Sequence, residues 1–370
     1  MSLNLLSPDQ FESLMPSPVG TLDQPTQTPT TAPNDLPPVL ALNQMIWGTW
    51  IAQSIYVAAS LGIADLLKDG AKHVSELAAT SQAQAPKLYR ILRTLASVGI
   101  FVEVAPQEFA LTEMAHYLRS DVPGSLRAVS MMLSDEWHWR SWGDILNVVK
   151  TGQPAMEHLY QVNSTFDYLA QHPESGKLYN DAMTGWSKTC HTAVVDAYDF
   201  SGITKITDVA GGHGTLIAAI LAANPTIQGQ LFDQPHVVKA AKTLLEREGV
   251  LDRCETVGGN FFEAIPAGSD AYMMSHILHD WNDEECIQIL KNVRQSITDG
   301  GKLLVVEMVV PADNSFHFAK WMDIDMMIMY PEGCERTEAE FRKLFEAAGF
   351  QLTRIVPTTA PVSVIEGICV

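Results

Sequence analysis

From Lys205 to the C-terminus, short strand-like apolar runs alternate with helical patterns, and this alternation constrains the fold more than any other feature of the chain. Strand candidates cover 205–209, 227–232, 253–257, 270–274 and 302–307. Strands separated by helices predict a parallel sheet with helices packed on both faces. The ending differs. Runs at 350–356 and 362–370 are joined only by Pro357-Thr358-Thr359-Ala360-Pro361, too short for a parallel crossover, so they form an antiparallel hairpin. The expected class is α/β, a Rossmann-like parallel sheet with a C-terminal antiparallel hairpin, occupying residues 201–370.

The residues before it divide into three parts. Residues 1–37 carry Pro16, Pro18, Pro25, Pro29, Pro33 and Pro37 among Thr, Ser and Gln; such a segment buries too little apolar surface to offset its ordering entropy and reads as a disordered tail. Next, 29 residues between Asp35 and Asp65 carry no charge. Asn43, Gln44, Thr49, Gln53 and Ser54 interrupt that run and no Lys or Arg flanks its start, so it predicts a helix for a protein interface, not a membrane span. Leu88, Ile91, Leu92 and Leu95 then follow helical spacing, Gly99 stops the helix, and two strand runs, 100–102 and 108–111, make a hairpin. Helix, helix and wing form a winged-helix unit within residues 38–120. Residues 121–200 read as helical and are rich in Met, Trp, Phe and Tyr, an adaptable wall for a flat organic ligand; Met132, Phe166, Met183 and Trp186, with Met329 further on, are candidate substrate contacts.

Charge limits the partners. The chain has 370 residues, 43 acidic against 24 basic, and a formal net charge of −19. No basic excess exists to displace counterions from a nucleic acid, and residues 71–120, where a winged helix would touch DNA, carry a net charge of only +1. The five cysteines form no CxxC pair, which excludes a zinc ribbon and fits a reducing cytoplasm. No leader pattern is read at the N-terminus.

The first strand of the sheet runs into Asp208-Val209-Ala210-Gly211-Gly212-His213-Gly214. Glycines between a strand and a helix let backbone approach a nucleotide-like ligand. The dinucleotide fingerprint fails, because Ile217 stands where its third glycine belongs, and no lysine supplies a phosphate-binding P-loop. An acidic residue followed by small residues at alternate places resembles the loop by which class I methyltransferases hold S-adenosylmethionine. Asp233 ends the second strand, where a carboxylate can accept two hydrogen bonds from a ribose diol. Gly211 and Gly212 would face the cofactor backbone.

The fourth strand ends in Ser275-His276-Ile277-Leu278-His279-Asp280-Trp281. With Asp233 and the glycine loop, this His-Asp-Trp sequence resembles the small-molecule O-methyltransferases related to plant caffeate and acetylserotonin enzymes and to bacterial antibiotic-tailoring enzymes. The resemblance covers roughly residues 38–370, since that family also carries an N-terminal winged-helix dimerisation module. It implies a homodimer, S-adenosylmethionine as methyl donor, and His279 as general base. It also implies that Glu307 and Glu335 bracket that histidine, and that Asn260 and Phe261 hold the adenine, with Ser275 at the cofactor and Asp280 at the substrate. The chemistry requires a base: a hydroxyl is a poor nucleophile until its proton leaves, and imidazole titrates near neutrality. His276 reads as structural. Thr337 and Glu340 form a capping-box pattern, which places Glu335 just before a helix. No clustered set of metal ligands is evident, so no metal is expected.

Three positions depart from the family pattern. Ala210 replaces a glycine, a mild change if its φ is negative. Asn260 stands for an aspartate and Ser275 for a basic residue. The expected activity is methyl transfer to a hydroxyl of a small, aromatic metabolite. Its rivals are N- or C-methylation or a non-methylating reaction on the same scaffold, and, more distantly, a ligand-sensing winged-helix regulator.

Overall fold

The computed structural model describes residues 37–370; the tail expected over 1–37 lies, except for its last residue, outside them. Contacts divide the chain at residues 49 and 50. Of the first part, the start of helix α1 (Pro38–Ser60) is described, and it exposes Val39, Leu42, Met45 and Ile46. Among the described residues no helix is long and apolar enough to cross a membrane.

In the second part, α2 (Ile63–Leu66), β1 (Lys72–His73), α3 (Val74–Thr80), α4 (Ala85–Ser97), β2 (Phe101–Ala105), β3 (Glu108–Leu111) and α5 (Glu113–His116) form the helix–wing unit. Its wing gains a strand that the sequence did not suggest, giving the order β1-β3-β2. The periodic residues Leu88, Leu92 and Leu95 close its core with Phe101 and Phe109. Six helices follow: α6 (Arg127–Met132), α7 (Glu136–Gly143), α8 (Ile145–Thr151), α9 (Ala155–Tyr160), α10 (Thr165–Gln171) and the long α11 (Pro173–Ala197).

The remainder is β4 (Lys205–Val209), α12 (Thr215–Ala223), β5 (Gln228–Asp233), α13 (Pro235–Arg247), β6 (Cys254–Gly258), β7 (Ala271–Ser275), α14 (Asp283–Ser296), β8 (Lys302–Val310), α15 (Phe318–Met329), β9 (Arg336–Thr337), α16 (Glu338–Ala347), β10 (Phe350–Pro357) and β11 (Val362–Cys369). The sheet order is β10-β11-β8-β7-β4-β5-β6. Pairs from β6 through β8 are parallel, whereas β11 runs antiparallel to β8 and to β10. The Rossmann-like sheet and its terminal hairpin therefore form as expected. Residue alternation sends Leu304 and Val306 to the face covered by α11–α13, and Leu303 and Val305 to the face covered by α14 and α16. Caps set the helix starts. Asn282 accepts the Glu285 N–H to open α14, and Thr337 and Glu340 close the expected capping box.

From β4 the chain winds outward through β5 and β6, then returns to β7 on the other side of β4. Carboxyl ends of β4 and β7 thus flank a switch point, where open α/β sheets bind ligands.

Candidate active site

The loop after β4 is shaped by backbone conformation. Gly212 and Gly214 have φ of 59° and 80°, values that glycine adopts without steric cost. A side chain at Gly211 would run into the Asp208 carboxylate and Leu231, while the space over Gly212 is open. Ala210 has φ 57°. Its replacement of glycine is therefore not mild: a Cβ in the left-handed region costs roughly 1–2 kcal/mol.

Two carboxylates serve this loop. Asp233 Oδ2 accepts the Gly212 N–H at 2.8 Å and Oδ1 the Gln234 N–H at 2.6 Å, fixing a group that retains lone pairs for a ligand diol. Asp208 is fully buried, and among the described residues neither of its oxygens has a well-formed hydrogen bond, the Ile217 N–H acting on the carboxyl only weakly. Burial, followed by the nearby Asp233 charge, pushes its carboxyl up to about 8. Two acids at a loop with open backbone fit a ligand bearing a diol and a positive charge, as S-adenosylmethionine does. Asn260 Oδ1 accepts the Phe262 N–H at 3.0 Å and its amide donates to Glu263, so it builds a local turn with one acceptor lone pair left. Phe261 packs edge-on to Trp281, ring centroids 6.0 Å apart.

The loop after β7 carries His279, whose side chain is 12% exposed. Its Nδ1 lies 2.9 Å from Glu335 Oε1, leaving Nε2 on the other edge of the ring, 3.6 Å from Asp280 Oδ1. Burial opposes the imidazolium here, but the Glu335 hydrogen bond and charge, with Glu307 and Asp280 behind them, outweigh it and raise the group to about 9. Asp280 is itself pushed up by burial.

Glu307 differs from its expected position. Its Oε1 accepts the backbone N–H groups of Ile277, Leu278 and His279 at 3.1, 2.6 and 3.3 Å, and among the described residues the carboxylate hydrogen-bonded to the His279 ring is that of Glu335. Glu307 thus holds the loop rather than the imidazole. Burial pushes it up to about 7, with the His279 charge pulling the other way. Arg336, 2% exposed, donates to the carbonyls of Leu278 and Trp281 at 2.7 and 2.8 Å and to Asp283, and the Cys334 N–H donates to the His279 carbonyl at 2.9 Å. Ser275 Oγ sits 3.1 Å from His276 Nδ1.

Among the candidate substrate contacts, Met132, Met183 and Met329 gather in one apolar cluster with Tyr179 and Tyr330. Phe166 is 56% exposed and meets the Tyr179 ring edge-on. Trp186 packs into a different cluster, against Phe318. Tyr179 and Tyr330 were not singled out from the sequence; both are pushed up by burial, and each feels the Asp280 charge. Tyr179 lies one helical turn before Met183, a spacing that would have found it. Asp325 of α15 joins the walls, accepting from Trp142 Nε1 at 2.7 Å and lying 3.0 Å from His138 Nε2. A separate cleft of about 830 Å³, bordered by Arg127, Met131 and Lys188, contains none of these groups.

Comparison with known proteins shows the family of the chain. Residues 142–351 match the model of an O-methyltransferase domain and residues 43–121 that of an O-methyltransferase dimerisation domain. A phenazine O-methyltransferase (PhzM) of Lysobacter antibioticus is 47% identical over 325 residues, 88% of this chain and 94% of that one. A mitomycin biosynthesis 6-O-methyltransferase of Streptomyces lavendulae is 33% identical, covering 94% and 99% of the two chains. CalO1, a methyltransferase of calicheamicin biosynthesis solved in its SAH-bound form, superposes with a TM-score of 0.82 at 33% identity over 91% of this chain and 100% of that one.

Proposed function

The chain belongs to the S-adenosylmethionine-dependent O-methyltransferases, and on that premise we propose that it methylates a hydroxyl of a small aromatic metabolite, with His279 as the general base. One observation carries the assignment of the base: Glu335 engages Nδ1 at 2.9 Å, so Nε2 is the nitrogen turned to a substrate. There it accepts the hydroxyl proton as the oxygen becomes nucleophilic, and the Glu335 carboxylate stabilises the imidazolium that results. Such a base contributes roughly 10²–10⁴-fold; alignment of the reacting atoms supplies much of the rest.

S-adenosylmethionine, when bound, supplies the methyl group on a sulfonium. Gly211 and Gly212 offer backbone to it, Asp208 and Ser275 flank its amino-acid end, Asp233 takes the ribose diol, and Asn260 and Phe261 take the adenine. Met132, Met183 and Met329, with Phe166 and Trp186 at the margins, border the substrate, and Asp280 contacts its polar edge. Relatives named for phenazine and mitomycin substrates support a flat, fused-ring molecule. Three working parts follow: a dimerisation unit over 38–120, substrate walls over 121–200 and a cofactor domain over 201–370. The matched dimerisation domain supports a homodimer, and five free cysteines support a cytoplasmic site of action.

The test is product analysis. Purified protein incubated with S-adenosylmethionine and a panel of hydroxylated phenazines and naphthols should yield products heavier by one CH₂, with the new methyl on oxygen by NMR. A methyl on nitrogen or carbon, or none, would replace this reading with one of its rivals.

A further inference from the structure

Two buried imidazoles, His276 beside the base and His191 within electrostatic reach of His276, have ring nitrogens without a hydrogen-bond partner among the described residues. His276 Nε2 and His191 Nδ1 are both closed to solvent and have no hydrogen-bond partner. Buried polar atoms are almost always paired, so an orphan nitrogen beside the base calls for a ligand. The His276 ring lies 5.6 Å from that of His279, centroid to centroid. His276 is also held at φ 54°, a conformation disfavoured for a residue with a Cβ and concentrated at functional sites. The fold maintains it: the His276 N–H donates to the Val306 carbonyl at 3.1 Å, and Ser275 Oγ stands 3.1 Å from Nδ1.

The protonation of this ring follows from its neighbours. Burial, with the charges of His279 and His191 acting in the same direction, pushes His276 down to about 3, and burial pushes His191 down to about 4. Both are neutral imidazoles. Ser275 Oγ has no other partner among the described residues, and in the tautomer taken here its hydroxyl donates to Nδ1, which puts the ring proton on Nε2. That leaves, on a ring 5.6 Å from the base, a buried neutral donor in want of an acceptor.

We propose that His276 is a specificity-determining residue, its Nε2–H donating to a hydrogen-bond acceptor on the aromatic substrate that flanks the reacting hydroxyl, such as a ring nitrogen or carbonyl oxygen. This rests on the reading of His279 as the base that receives that hydroxyl. The substrate class narrows to hydroxylated aromatics with an adjacent acceptor. A substrate lacking the acceptor leaves the donor buried and unpaired, and sites built around a hydrogen bond reject such analogues strongly.

The experiment compares 1-hydroxyphenazine with 1-hydroxyanthracene, which share a three-ring shape but differ in the ring nitrogens. Wild-type protein should favour the phenazine at least tenfold in kcat/KM, and in Kd when titrated by calorimetry into protein loaded with S-adenosylhomocysteine. H276L should remove that preference by lowering only the phenazine value, and H276Q, which restores an N–H donor, should recover part of it. Each ratio is taken within one variant, so a general loss of folded protein does not mimic the effect. An unchanged ratio in H276L, an equal loss for both ligands, or no wild-type preference in binding overturns the inference. Ligands that bind with the predicted preference but receive no methyl on oxygen would instead overturn the assigned reaction, leaving the His276 contact standing.

Discussion

Glu335 Oε1 and His279 Nδ1 lie 2.9 Å apart, and this pair sets the protonation of the ring. Only the neutral imidazole can accept a proton, and the free protein holds His279 at about 9. The kcat/KM should therefore rise with pH toward that value and level off above it. E335Q removes the charge that favours the imidazolium and leaves the burial that opposes it, so the rising limb should move to lower pH. Its plateau should also fall, because the developing imidazolium loses its carboxylate. Rate profiles of both proteins over the range from pH 6 to 10 check this. By linkage, a raised histidine stabilises the fold fully below its unfolded value of 6.5 and loses that contribution as pH rises through about 9.

Glu307 acts on backbone, which separates it from Glu335. The amide oxygen of Gln can still accept the N–H groups of Ile277, Leu278 and His279, so E307Q should keep its melting temperature within a few degrees and retain most of its turnover. E307A leaves those donors unpaired and should cost about 1–3 kcal/mol of stability, together with most of the activity. Urea denaturation and steady-state rates distinguish the two variants. Equal damage in E307Q and E307A would assign the role to charge, not to the hydrogen bonds.

Ala210 stores strain at φ 57°. A210G should stabilise the protein by about 1 kcal/mol, the relief of the left-handed Cβ less the entropy glycine adds to the unfolded chain. Thermal or chemical denaturation reads it, and a loss of stability would show that the surrounding contacts favour a methyl group there.

The exposed residues Val39, Leu42, Met45 and Ile46 should be covered in a homodimer. Light scattering on the purified protein should give twice the chain mass of 40.6 kDa. M45K/I46K should shift the population toward the single-chain mass, since two charges would have to be desolvated in the interface. A wild-type protein of single-chain mass would contradict the dimer.

The sequence made some parts of this molecule plain and hid others, for physical reasons. Strands such as Lys302–Val310 were visible because both sheet faces are covered and stretches such as Leu303–Val306 are continuously apolar. Glu335 was placed by the capping box that Thr337 and Glu340 form, a local signal. Glu307 was found as a strand-end acid, but its partner atoms depend on how β8 lies against the loop after β7, which no spacing encodes. His191 shares the long helix α11 with Met183, and whether its ring meets the site is a matter of tertiary packing. The two-residue strands Lys72–His73 and Arg336–Thr337 are too short to carry any periodicity. The sign of φ at Ala210 is likewise invisible, since alanine normally avoids the value it takes here.

The central claim is that His279 removes the substrate proton, and H279A tests it most directly. Calorimetry with S-adenosylhomocysteine should show cofactor affinity within about threefold of wild type, since no cofactor contact is assigned to the ring, while single-turnover methyl transfer should fall by roughly 10²–10⁴. Near-normal transfer by H279A, at unchanged cofactor affinity, would contradict the account.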